Sequence, residues 1–280
     1  MRPVILAAAL TAALVANASA QNGPNAREAY VERLGLMETD TRCRLLTSTV
    51  RDALNVSISQ ARGSLLRAGW SNAQMRELDS AVGNAARQRA CNDSRTSAAV
   101  ASVSRTVGQW ANAGTMQFPG WERTWIARRG DEGWRLSQSI DAPFAATFGV
   151  RQVDTSQRLT LIIPVARGQT APRSVSLVMR DPQRARSEIS LNQRIASGLE
   201  AGLPSPSMAR AVPSTRTVER LSQGASQAVF TFPDSAFRDL LALDPRESVE
   251  LRVANGRAEQ SLLVEVGDIS AARAFLTIRR

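Results

Sequence analysis

The spacing of apolar residues changes once along this chain, near Gly114, and that change limits the folds open to it. From Asn25 to about Gly114 apolar residues recur every three or four positions, which is typical of amphipathic helices. Beyond Gly114 there are short β-branched runs broken by Pro and Gly, which is typical of strands and turns. The sequence therefore predicts an α+β protein, with a helical domain over residues 21–115 and a β-rich domain over residues 116–280.

About four helices are predicted in the helical domain. Thr47 or Ser48 can cap the second helix, and Asp93 or Ser94 can cap the fourth. Ser71 followed by Gln74 is a capping-box pattern that opens the third helix. Because the connections between the helices are short, neighbouring helices are expected to run antiparallel, as in a bundle.

The chain has two cysteines, Cys43 just before the second helix and Cys91 at the end of the third. Since these two helices have similar lengths, an antiparallel pair brings both thiols to one end, and we expect a disulfide that staples the bundle. A redox-active pair is disfavoured because there is no Cys-x-x-Cys motif. A metal site is disfavoured because the chain has no His.

The β-rich domain is predicted to be an antiparallel β-sandwich or open barrel with short helices, because about nine short strands alternate with turn signals. A strand over residues 174–180 is expected to form a hairpin with residues 186–191. Residues 196–214 are rich in Gly and Pro and are expected to form a flexible loop. Asp268 is expected to cap a closing helix with its side chain.

Residues 1–20 have the pattern of a secretory signal peptide. Arg2 precedes an apolar run from Val4 to Ala16, and the segment ends in Ala18-Ser19-Ala20, after which a signal peptidase can cut. An uncleaved membrane anchor is disfavoured because the run is too short to span a bilayer, and no later segment is long and apolar enough to be transmembrane. We therefore expect a periplasmic or secreted protein, cleaved after Ala20.

Composition excludes much of the usual catalytic machinery. The chain has no His, and all 35 of its basic residues are Arg, so Ser-His-Asp triads, Cys-His pairs, P-loops and Schiff-base lysines are impossible. No catalytic residue, cofactor or metal site is predicted. Carboxylate chemistry remains open, and a glycan hydrolase built on Glu122, Asp131 and Glu132 is one alternative.

Positive charge is concentrated in the middle of the chain, where residues 123–220 hold 15 Arg and 8 acidic residues. In an exported bacterial protein this surplus favours an envelope polyanion as partner, such as an acidic glycan or a glycolipid, rather than nucleic acid. A merely solvated arginine-rich face, or codon bias, would give the same count.

Trp125 is the candidate ligand-binding residue. If residue 128 pairs with residue 134 in a hairpin, Trp125 shares one face with Arg123, Arg129 and Arg135. An indole among guanidinium groups can stack on a sugar while the cations pair with its acidic groups. The alternative is that Trp125 packs against the helical domain, with Arg side chains covering its edge.

Taken together, these features predict a non-catalytic, exported bacterial envelope protein that acts by binding or assembly. A carboxylate-dependent glycan hydrolase is one alternative. A periplasmic protein–protein adaptor that docks on another envelope protein through the helical domain is the other. No motif of a known family is found in the sequence.

Overall fold

The computed structural model describes residues 24–153, 155–184, 202–221 and 225–279. It confirms the α+β class, with four N-terminal helices followed by antiparallel sheets. The predicted signal peptide lies outside the described residues. The N-terminal helices are α1 (Pro24–Cys43), α2 (Ser48–Arg67), α3 (Asn72–Gln88) and α4 (Ser94–Asn112).

Of the candidate N-cap residues, Thr47, Ser71 and Asp93 cap α2, α3 and α4. The side chain of Thr47 accepts a hydrogen bond from the backbone N–H of Val50, and Asp93 accepts one from Thr96. Ser71 and Gln74 form the complete capping box at the start of α3. These caps depend only on neighbouring residues, which is why the local sequence was enough to predict them.

The predicted disulfide between Cys43 and Cys91 is confirmed. It joins the last residue of α1 to the segment that follows α3, and its residues are 48 apart in sequence. The guanidinium of Arg42 donates to the Cys91 sulfur and to the Arg89 carbonyl beside it. The disulfide therefore holds the first and third helices together at one end.

The strands form two sheets in which every neighbouring pair is antiparallel. One has seven strands in the order β1-β2-β3-β4-β5-β9-β8, and the other has four in the order β11-β10-β6-β7. Among the described strands neither sheet closes into a barrel. The strands are β1 (Thr115–Pro119), β2 (Thr124–Arg128), β3 (Gly133–Ile140), β4 (Ala146–Val153), β5 (Ser156–Val165), β6 (Ser174–Arg180), β7 (Ala209–Pro213), β8 (Thr215–Arg220), β9 (Ser226–Thr231), β10 (Ser248–Asn255) and β11 (Ala258–Glu265).

Part of the predicted flexible loop is a strand. Residues 209–213 form β7, which pairs with β6, so the prediction of a loop over 196–214 is wrong in this part. After Ser214 the chain passes directly into β8 of the other sheet, and Ser214 is held by hydrogen bonds to the Val175 carbonyl. The predicted strand over 186–191 lies outside the described residues, as do residues 196–201 of the loop.

The described part of the chain has two further short helices, α5 (Asp234–Leu241) and α6 (Ile269–Leu276). Helix α6 packs against α2 on one side and against β1 and β2 on the other. The helical segment ends at Asn112 and the first strand begins at Thr115, yet buried apolar side chains from both parts form one continuous cluster. None of the helices within the described ranges is long and apolar enough to cross a membrane.

Candidate binding site at the helix–sheet junction

Trp125 is fully buried, so it cannot offer an indole face to a sugar. Its ring lies 6.3 Å from that of Phe148, centroid to centroid. Its Nε1 donates to the carbonyls of Glu265 and Val266, at 2.9 and 3.0 Å. The stacking role considered for Trp125 is therefore incompatible with the structure. The side chain is buried, as in the alternative interpretation, and its hydrogen bonds go to the end of β11.

The register of the β2–β3 hairpin explains this correction. Ala127 pairs with Leu136, and one residue back Ile126 pairs with Ser137, so residue 128 does not pair with residue 134 as assumed. The observed register differs from the assumed one by one residue, so Ala127 rather than Ile126 lies opposite Leu136. Because side chains alternate along a strand, a slip of one residue moves every side chain to the other face.

The three arginines predicted to surround Trp125 lie at separate places. Arg129 donates to the Phe275 carbonyl at the end of α6 and to the Ala111 carbonyl of α4, and its guanidinium lies 4.1 Å above the Phe275 ring. Arg123 lies in the loop between β1 and β2, and Arg135 lies in the bulge of β3. The predicted set of Trp125 and three arginines therefore does not form one site.

Glu265 organises the junction, and sequence reasoning missed it. Its buried carboxylate accepts hydrogen bonds from three successive backbone N–H groups, those of Trp121, Glu122 and Arg123, at 2.6 to 3.1 Å. Consecutive N–H groups that converge in this way form a nest for an anion, here an internal one. A Cβ at Gly120 would lie 2.2 Å from the carboxylate, so the loop needs glycine there. The only local signal is the Pro119-Gly120 turn, which does not reveal a partner more than 140 residues away.

Gln138 fixes the backbone of Glu265. Its side-chain amide donates to the Glu265 carbonyl at 3.1 Å, and its side-chain oxygen accepts the Glu265 N–H at 3.0 Å. Gln138 is itself fully buried on β3. The carboxylate and the main chain of Glu265 are thus both held by the seven-stranded sheet and its loops.

Asp268 does not cap α6 as predicted. It occupies the N-cap position, but its carboxylate makes no capping hydrogen bond and instead pairs with the Arg67 guanidinium of α2. Burial raises the pKa of the Asp268 carboxyl, and Arg67 opposes that effect. A Cβ at Gly63 would lie 1.8 Å from an Asp268 oxygen, so the close approach of α2 and α6 requires glycine at that position.

A second polar link joins the α2–α3 turn to the β-rich part. Arg246 forms a two-point ion pair with Asp244 and also donates to the Trp70 carbonyl. Asn72 donates to the same Asp244 carboxylate. Burial alone would raise the pKa of Asp244, but these bonds to Arg246 hold it below its usual range. The junction is therefore built from arginines already bound to internal acceptors.

A cleft of about 330 Å³ opens beside this junction, between the end of α2 and the β1–β2 loop. Arg123 and Trp121 lie on its wall, and Arg67 reaches it while bound to Asp268. Glu122, a candidate acid of the hydrolase alternative, is an exposed side chain on the rim, and Asp131 and Glu132 lie in the exposed β2–β3 turn. Within the ranges that the structure describes, no cluster of three or more His, Cys, Asp or Glu side chains could hold a metal ion.

The chain matches no protein-family model, and it shows no significant similarity to a curated protein or to a solved structure. Its function therefore has to be sought in the geometry of its own residues.

Proposed function

We propose that this chain is an exported, non-catalytic protein of the bacterial envelope that acts by binding or assembly. Its leader is cleaved after Ala20, and the mature protein works in the periplasm or outside the cell. The disulfide between Cys43 and Cys91 carries the proposal, because such bonds persist in oxidising compartments and are rare in the cytosol. The signal-peptide pattern of residues 1–20 agrees with it.

Binding is favoured over catalysis because the buried carboxylates are engaged in structural contacts. Asp40 pairs with Arg51, and Glu247 pairs with Arg180. Asp244, Glu265 and Asp268 are bound as described above. A glycosidase needs two carboxyl groups that face a substrate cleft, one of them with a raised pKa. Of the three candidate acids only Glu122 lines the cleft, and all three are exposed.

The proposal includes the packing of the two sheets as an open sandwich. Trp125 and Gln138 on the seven-stranded sheet support it, because both form hydrogen bonds to Glu265 at the end of β11 in the four-stranded sheet. Ser214 also supports it, as the single residue between β7 of one sheet and β8 of the other. Strands that switch sheets in this way form the corners of sandwiches.

Expression of the full chain in a Gram-negative host tests export directly. The N-terminus of the recovered protein is sequenced, and its thiols are labelled with maleimide before and after reduction. We expect an N-terminus at Gln21 and thiols that label only after reduction. The variant Leu10→Arg, which interrupts the apolar run, should stay in the cytosol with its leader intact and its thiols free. Native protein that keeps Met1 and labels without reduction would refute the proposal.

The exported protein from this experiment also distinguishes binding from hydrolysis. Incubated with acidic envelope glycans, the native protein should release no sugar. Product formation that disappears in Glu122→Gln would identify the hydrolase instead.

A further inference from the structure

The four adjacent strands β2 to β5 carry four arginines and no acidic residue. There is one arginine on each strand: Arg128, Arg135, Arg151 and Arg158. They are a candidate site because the strand register places them next to one another.

The arginines form a row that runs across the strands. Arg151 pairs directly with Arg158 on β5, and Trp134 of β3 pairs with Arg151 from the other side. The bulge makes Arg135 the extra residue next to Trp134, so both oppose Arg151. Continuing the β2–β3 register by one residue places Arg128 opposite Arg135. With neighbouring strands about 4.8 Å apart, the row spans about 14 Å.

The row lies on the face of the sheet opposite to Trp125. Val150 and Leu159 are buried on the Trp125 face, so their neighbours Arg151 and Arg158 point to the other side. Arg128 donates to the Ser137 hydroxyl, which places it on that side too. We name this surface, with Trp134 and the four arginines, the arginine face.

Two members of the arginine face, Arg128 and Arg135, form no ion pair with the described residues, and the other two have weak ones. Arg151 pairs with Glu219 and Arg158 pairs with Asp234, but both pairs are solvent-accessible and such pairs contribute little. The Nε of Arg135 is buried and finds no hydrogen-bond acceptor in the part of the chain that the structure describes. Like charges directly opposed across two strands, as at Arg151 and Arg158, destabilise a sheet. A bound anion would relieve that repulsion.

We infer that the arginine face binds an acidic polysaccharide, a chain of uronic-acid sugars that lies along the row. The guanidinium groups would pair with successive carboxylates, and the half-buried ring of Trp134 would stack on a sugar. A linear chain fits better than a bilayer surface, because Arg135 and Arg151 are recessed and do not protrude. This inference depends on the proposed function, since such polymers lie outside the cytoplasm.

Titration calorimetry with the exported, disulfide-bonded protein tests the inference. The probe is an alginate oligosaccharide, and dextran, inorganic polyphosphate and phosphatidylglycerol vesicles are compared with it. The triple variant Arg128→Gln/Arg135→Gln/Arg158→Gln is measured against Arg76→Gln/Arg95→Gln/Arg105→Gln. The second variant removes the same charge from exposed positions on α3 and α4. Both must keep the native disulfide and melting temperature.

We expect the native protein to bind alginate and not dextran. The arginine-face variant should bind alginate at least about tenfold more weakly, while the helix variant should stay within about twofold. Trp134→Leu should weaken alginate binding without changing polyphosphate binding. Equal loss in both triple variants would reduce the effect to net charge and overturn the inference. So would binding to vesicles or polyphosphate alone, or no binding of alginate. None of these outcomes affects the export proposal, which fails only on an intact leader with free thiols.

Discussion

Arg67 and Asp268, 201 residues apart in sequence, form a two-point ion pair between α2 and the start of α6. The Nη1–Oδ1 distance is 2.6 Å and the Nη2–Oδ2 distance is 2.9 Å, with both side chains buried. This pair is the most deeply buried ionic link between the N-terminal helices and the C-terminal helix among the described residues.

Replacing one residue of this pair should destabilise the protein far more than replacing both. We expect Arg67→Met or Asp268→Leu alone to lower the free energy of unfolding by about 3–5 kcal/mol, because each leaves a buried charge without its partner. The double variant should lose much less than the sum of the two. Urea unfolding measures all three, and strictly additive losses would contradict a coupled pair.

A side chain at position 120 should destabilise the loop between β1 and β2. Gly120→Ala places a Cβ 2.2 Å from the Glu265 carboxylate, so the nest must open, at a cost of about 1–3 kcal/mol. Gly130→Ala is the matched control, since nothing lies within 4 Å of a Cβ there, and its effect should stay within about 0.5 kcal/mol. Similar melting temperatures for the two variants would mean that the loop does not depend on this close approach.

The negative charge of Glu265, and not only the shape of its side chain, should stabilise the protein. In Glu265→Gln an NH₂ group replaces one oxygen, and at least one backbone N–H of the 121–123 loop loses its acceptor. We expect a loss of about 1–3 kcal/mol in denaturant unfolding. Hydrogen exchange at the Trp121 and Arg123 amides should accelerate in the variant. Unchanged exchange there would argue against the nest.

Removal of the disulfide should destabilise the protein without changing its fold. For cysteines 48 residues apart, the chain-entropy estimate gives a loss of about 4 kcal/mol in Cys43→Ala/Cys91→Ala. The circular dichroism spectrum of the folded variant should match that of the native protein. The measurement is thermal or urea unfolding under non-reducing conditions, and an unchanged midpoint would show that the bond is not structural.

Stability should fall in acid partly through Asp40. Burial alone would raise its pKa, but the Arg51 guanidinium and the Leu46 N–H hold the pKa below its usual range. The stabilisation is therefore complete above the unfolded-state pKa, which is about 3.9, and is lost as the pH falls through the lower folded-state value. The stability difference between native protein and Asp40→Asn should shrink as the pH drops from 6 to below 3. A constant difference over that range would contradict this assignment.

Local features of this protein could be predicted and distant ones could not. The caps at Thr47, Ser71 and Asp93 involve residues at most three positions away, so the residue pattern contained the whole interaction. The bond between Cys43 and Cys91 followed from helix lengths and short connections. Asp268 shows the limit of such local prediction. It occupies the N-cap position of α6, but its carboxylate pairs with the Arg67 guanidinium of α2 instead of capping the helix.

The hairpin of β2 and β3 shows which features the sequence determines and which depend on the tertiary structure. Its two strands were evident from their residues, but their register was not, and the register decides which side chains of the two strands share a face. Trp125 is consequently buried and forms hydrogen bonds between the two sheets, and Arg135 lies in a row with arginines of three other strands. The amino-acid sequence alone determined the α+β class, the helices with their caps, and the disulfide, because these depend on periodicity and near neighbours. The tertiary structure decided the strand register and the partners of Glu265 and Asp268. A register shift of one residue reverses a strand face, and pairs more than 100 residues apart form only on packing.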